Sequence, residues 1–187
     1  ISCSLVGSEM CIRDRLNINE WLSVTEDKFR LIIVGEKSTE IKDNHHGTGD
    51  GMCAFLFAPP MLVNQNNIFE KARLYRSIST NEGELLKDLN DLIFYQARVG
   101  IIDNLLIGKH SDKKDVAKVA VLLNEHNNNL EQYYAELYIG IHGEFDIWMM
   151  LMFSLLNGQN VSAVDLILSR SDERIILSRV KKIRNQE

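Results

Sequence analysis

Apolar residues recur along much of this chain at intervals of three and four, and the widest such stripe lies between residues 81 and 107. Leu85, Leu86, Leu89, Leu92, Ile93, Val99, Ile102, Leu105 and Leu106 share one side of a helix drawn through it, with Gly108 placed to end it. Asn81 and Glu84 have capping-box spacing at its start. The same logic predicts a helix from Ser111 or Asp112, with Val116, Val119, Ala120 and Leu123 inward, and another over 130–141. Residues 144–156 are apolar on nearly every side, which predicts the most buried helix. Asn67 with Glu70, Ser162 with Asp165 and Ser171 onward read as three further helix starts.

The first third has a different pattern. Asn17 and Glu20 open a short helix to about Val24. Residues 29–34 and 52–57 are dense in β-branched and aromatic residues, bounded by Gly35 and by Pro59-Pro60, and predict two buried strands. The polar, glycine-containing segment between them reads as a loop. The expected fold is therefore mainly α: a five- to six-helix bundle with a small two-stranded β element near the N-terminus. Its core is expected to hold Leu92, Ile93, Ile102, Leu123, Tyr134, Leu137, Trp148, Leu151, Phe153 and Leu155.

Composition narrows the class without naming a function. The 187 residues are 45% hydrophobic and 25% charged, ordinary for a globular chain and too apolar for a disordered one. A net charge of −5 argues against a general nucleic-acid binder. The longest apolar run is about half the roughly 20 residues a membrane helix needs, so a soluble protein without a membrane partner is expected. Residues 1–15 have neither helical nor strand periodicity, and 5–15 resemble translated sequencing-adaptor read-through. We therefore expect 1–15 to be non-native and disordered and 16–187 to be one helical domain. Within it, 16–80 carry the first helix and the β element, 81–158 the core helices and 159–187 the C-terminal helices. Setting Cys3 and Cys11 aside leaves Cys53, which has no internal disulfide partner and points to a reducing cytoplasm.

Four groups of residues have chemistry worth testing. His45, His46 and Asp50 put two imidazoles and a carboxylate within one glycine-rich loop, a possible metal site. The stretch resembles part of the motif of HD-type phosphohydrolases, although the separate His-Asp pair of that family has no counterpart here. Glu84, Asp88 and Asp91 lie on one helical face, and Asp146 on a facing helix could complete a Mg²⁺ site, as in helical bundles that converge carboxylates on metal. Asp146-Ile-Trp148 resembles a fragment of the all-α nucleotide pyrophosphohydrolases, whose Glu-x-x-Glu motif is absent. His142, one turn before Asp146, could share a proton or metal with it. The C-terminal segment 169–187 carries six basic side chains, of which Arg174, Arg179 and Lys182 are candidates for nucleic-acid phosphates.

No complete catalytic constellation emerges from these patterns. The leading expectation is a non-enzymatic helical interaction, assembly or regulatory module that binds a protein partner or a second copy of itself, with no cofactor. The alternatives are a Mg²⁺-dependent nucleotide or phosphate hydrolase using the bundle carboxylates, and nucleic-acid binding through the C-terminal helices.

Overall fold

A computed structural model of the protein describes residues 29–36, 51–108, 111–135, 137, 146–157, 163–171 and 174–183. Among them, the chain forms β1 (Arg30–Glu36), β2 (Gly51–Phe57), α1 (Pro60–Gln65), β3 (Ala72–Leu74), β4 (Ile78–Thr80) and α2 (Leu85–Tyr95). It continues through a 3₁₀ turn (Ala97–Val99) to β5 (Asn104–Ile107), α3 (Lys113–His126), β6 (Glu131–Tyr134), α4 (Asp146–Leu156), β7 (Val164–Ser171) and β8 (Arg174–Lys182). Eight strands in two sheets and four α-helices make this a mixed α/β fold, not the helical bundle expected from the pattern.

The large sheet is ordered β3-β8-β7-β5-β6, with β4 also on β8. Strands β6, β5 and β7 are parallel, whereas β8 runs antiparallel to β7. Strands β3 and β4 pair with successive parts of β8 and act as one interrupted edge strand. At the interruption the Tyr75 amide donates to the Arg179 carbonyl at 2.9 Å, and the hydroxyls of Ser77 and Ser178 share a buried hydrogen bond of 2.6 Å.

The two faces of this sheet are covered differently. Leu105, Ile107, Val164, Leu166, Leu168, Ile175 and Leu177 pack against Leu85, Leu89 and Leu92 of α2 and Val116, Val119 and Leu123 of α3. Leu106, Ile167, Ile176 and Val180 face the other way, onto Ile147, Trp148, Met150 and Leu151 of α4. Helix α4 is itself covered by the β1-β2 pair: the Phe55 and Phe57 rings lie 5.7 and 6.4 Å from the Trp148 ring. Trp148 is thus clamped between two sheets. Each leucine fully buried in these layers contributes roughly 1.5–3 kcal/mol relative to exposure.

The departures from expectation have local causes. The apolar stripe over 81–107 is cut by Gly100, whose φ of 121° no helix accommodates, so α2 stops at Tyr95 and 104–107 becomes a strand. The run 67–78 is not a helix: Asn67 has φ 50°, and Glu70 instead pairs with Arg73 at 2.6 Å, the hydrogen bond raising the Arg73 pKa further. Strands β7 and β8 are buried on both faces, so their sequences lack the polar alternation that marks half-buried strands. The tyrosines at 133 and 134 belong to β6, consistent with the strand preference of aromatic residues.

Other expectations hold. Strands β1 and β2, helix α3 with Asp112 accepting from the Lys114 amide at 2.7 Å, and helix α4 lie where the pattern placed them. Leu92, Ile102, Leu123, Trp148 and Leu151 are buried, and Ile93 and Phe153 pack at the core's margin. Tyr134, Leu137 and Leu155 are exposed. The helix expected at 17–24 lies outside the described residues.

Candidate functional site

The chain leaves β5 through α3 to reach β6 on one side, and returns through α4 to β7 on the other. Consecutive parallel units thus diverge between β5 and β7, with their helices on opposite faces of the sheet. In open α/β sheets this divergence leaves a crevice at the carboxyl ends of the two strands, where ligands bind.

Four residues meet at that point. Gly108 directly follows β5, and its amide donates to the Leu168 carbonyl at 2.8 Å. The Ser111 hydroxyl donates to the same carbonyl at 3.2 Å. Ser169, near the end of β7, donates its hydroxyl to Oδ2 of Asp146 at 3.3 Å. Asp146 is the first residue of α4 and only 4% exposed, its carboxylate placed where the positive end of the helix macrodipole favours it. The packing is close: a Cβ on Gly108 would fall 1.9 Å from Asp146 Oδ2. Gly108 therefore does not end a helix, as its spacing suggested. It ends a strand and leaves room for a carboxylate.

A second polar group lies beneath the other end of α4. Asp165 accepts from Asn104 at 2.7 Å through one oxygen and from Ser154 at 2.5 Å through the other. Lys182 Nζ stands 3.4 Å from the second oxygen and donates to the Asn157 carbonyl at 2.9 Å. All four side chains are buried. With both oxygens of Asp165 engaged and Ser154 wholly enclosed, this network locks α4 to the sheet and leaves no opening for a ligand.

The residues singled out from the sequence are scattered. Glu84 is exposed and Asp88 and Asp91 are half-buried near or on α2, across the large sheet from α4 and Asp146. The four carboxylates do not converge, and among the described residues no cluster of three His, Cys, Asp or Glu side chains could hold a metal. His45, His46, Asp50 and His142 lie outside the described residues. Arg174 is exposed, whereas Arg179 and Lys182 are 1% and 7% exposed and point into the interior from β8.

Ser154 and Ser169 escaped notice in the sequence, and Gly108 and Asp165 were read only as residues of helix ends. The available signal was a glycine closing a short apolar run and single polar residues inside two others. Once those runs are known to be central strands, each such polar side chain requires a buried partner.

The class defined by this geometry is an α/β protein whose parallel strands are wound in both directions from β5. Eight chains of solved structure resemble it; one is the tetronic acid condensing enzyme AbyA1, which shares 12% sequence identity at a TM-score of 0.57. That match covers 95% of this chain and 67% of AbyA1. It is a likeness of fold. No family model and no curated protein sequence matches the chain. No helix among the described residues is long and apolar enough to cross a membrane.

Proposed function

We propose that the protein handles a small carbonyl compound of the kind used in condensation reactions, bound at the carboxyl ends of β5 and β7 beside Asp146. The observation that carries this reading is the Gly108–Asp146–Ser169 contact, a buried carboxylate fitted into the crevice where α/β sheets take their ligands. Fold alone hosts many functions, so the likeness to a condensing enzyme supports the choice of ligand class and the site supports its place. In this role Asp146 accepts the proton of an activated C–H group; the electron pair so freed forms the new C–C bond to a second carbonyl carbon, whose C=O π pair passes to its oxygen, which takes the proton back from Asp146. Ser169 positions the carboxylate. Cys53, a buried free thiol whose pKa burial raises, suits a reducing cytoplasm, where we place the protein.

Calorimetric titration with acetylacetone, a 1,3-dicarbonyl compound that is uncharged at neutral pH and carries an activated C–H group, tests the assignment. The native protein should bind it, and Asp146→Asn should bind at least about tenfold more weakly while folding normally. Equal binding by the variant, or no binding by the native protein, contradicts the proposal.

A second reading, an assembly module, is favoured by one surface. The β1-β2 pair is apolar on both faces: its inner face covers α4, while Leu31, Met52 and Leu56 on the outer face are 39%, 76% and 64% exposed. Among the described residues this face offers no charge to select a dissimilar partner, and we propose a second copy of the chain as its occupant. Light scattering should then show a dimer that Leu56→Glu converts to monomer; a native monomer contradicts it.

A further inference from the structure

The part of β7 that carries Ser169 reaches beyond its parallel neighbour. Strand β5 stops at Ile107, opposite Leu168, so Ser169 and Arg170 run past it with β8 as their strand neighbour. Successive side chains of a strand point to opposite faces. Ser169 points to the α4 face, where it donates to Asp146, and Arg170 follows Leu166 and Leu168 onto the face that α2 and α3 cover.

On that second face Arg170 stands in a row of alternating charges. Its Nη1 lies 3.0 Å from Oε1 of Glu82, in the connection between β4 and α2, and 3.8 Å from Oδ2 of Asp115, in the first turn of α3. Lys118 donates to the other oxygen of Asp115 at 3.1 Å. Glu82 and Lys118 are exposed, so their pairings are screened by water and hold little. The inner pairing differs: the Asp115 side chain is 4% exposed and that of Arg170 is 25% exposed. Oδ2 of Asp115 is buried and accepts no hydrogen bond among the described residues, and the Arg170 guanidinium is the cation beside it. A buried carboxylate in that position draws its counter-charge strongly. The segment entering α3 also grips β7 through the Ser111 hydroxyl, which donates to the Leu168 carbonyl.

We propose that Arg170 is a positioning residue for the Asp146 site. Drawn toward Asp115, it fixes the overhanging end of β7 against α3 and so holds the Ser169 hydroxyl on the Asp146 carboxylate across the sheet. Helix α3 on one face is thereby coupled to the carboxylate of α4 on the other. This role rests on the reading of Asp146 as the working acid, although the coupling itself is measurable without any ligand.

The test follows the ¹³C resonance of the Asp146 carboxylate in the full chain at neutral pH, assigned by its loss in Asp146→Asn. Ser169→Ala removes the hydroxyl and defines the full displacement of that resonance. Arg170→Gln and Asp115→Asn should each displace it in the same direction, by at least about half as much. Charge acting through space would displace it in opposite senses, because one variant removes a cation and the other an anion. In the Ser169→Ala background neither change should displace it further, as expected of residues that act through Ser169. Arg170→Lys, which keeps a cation within reach of Asp115, should restore most of the native position. Because Arg170 lies partly in water, its two variants keep the test decisive should Asp115→Asn fail to fold. A resonance unmoved by Arg170→Gln, opposite displacements by Arg170→Gln and Asp115→Asn, or full additivity with Ser169→Ala would each overturn the proposal. Loss of acetylacetone binding with these displacements intact would contradict the proposed ligand and not the coupling.

Discussion

The two ends of α4 rest on the same sheet through buried carboxylates, yet they are built to opposite ends. At its C-terminal end Asp165 is saturated, with Asn104, Ser154 and Lys182 enclosing both oxygens. At its N-terminal end Asp146 accepts a hydrogen bond from Ser169 and packs against a glycine that makes way for it, at the carboxyl ends of β5 and β7. One end trades all its polar capacity for rigidity. The other keeps a carboxylate at the place where the topology opens the sheet. Burial of a charged group does not by itself mark a site, and our proposal for Asp146 rests on its position relative to strand direction.

Breaking the locked end should have the largest effect. Asp165→Ala strands the Lys182 ammonium in the interior and should lower unfolding free energy by about 3–5 kcal/mol, read from denaturant midpoints. A smaller loss, comparable to that of an exposed ion pair, would show that the network is not a lock. Gly108→Ala comes next: its methyl meets Asp146 Oδ2, which must move, at a cost of about 1–3 kcal/mol. Adding Asp146→Ala to that variant should recover part of the loss, and strict additivity of the two changes would show that they do not touch.

Ser154→Ala removes one donor to Asp165 while Asn104 and Lys182 remain, so about 1 kcal/mol is expected in the same measurement. The smallest effect concerns Cys53 on β2, in the layer that covers α4. Because burial raises the thiol pKa in the folded chain, its stabilising contribution is present below the ordinary thiol pKa and is lost as pH rises through the folded value. Cys53→Ala should flatten that part of the stability–pH profile; an unchanged slope would mean the thiol is not shielded.

How legible these regions were in the sequence followed from their solvent exposure. Helix α3 displays a polar face and an Asp112 cap, and its start was readable to within a residue, although it runs on to His126 through residues that read as a turn. Strands β1 and β2 were readable from their β-branched and aromatic runs and their glycine and proline boundaries. Strands β7 and β8 lie between layers on both sides, so no polar alternation survives, and isolated residues three or four apart imitate a helix. Gly100 was the one local sign that the long stripe could not be a single helix. Asp146 was recognised as a candidate acid but given the wrong company, because its true neighbours Gly108 and Ser169 end strands that were taken for helices.

The account stands most directly on where a ligand goes. A crystal structure of the protein grown with acetylacetone should show it at the carboxyl ends of β5 and β7, with its enol hydroxyl or acidic carbon against the Asp146 carboxylate. Acetylacetone bound only elsewhere, or not bound at saturating concentration, would contradict the assignment of the working site to the carboxyl ends of β5 and β7.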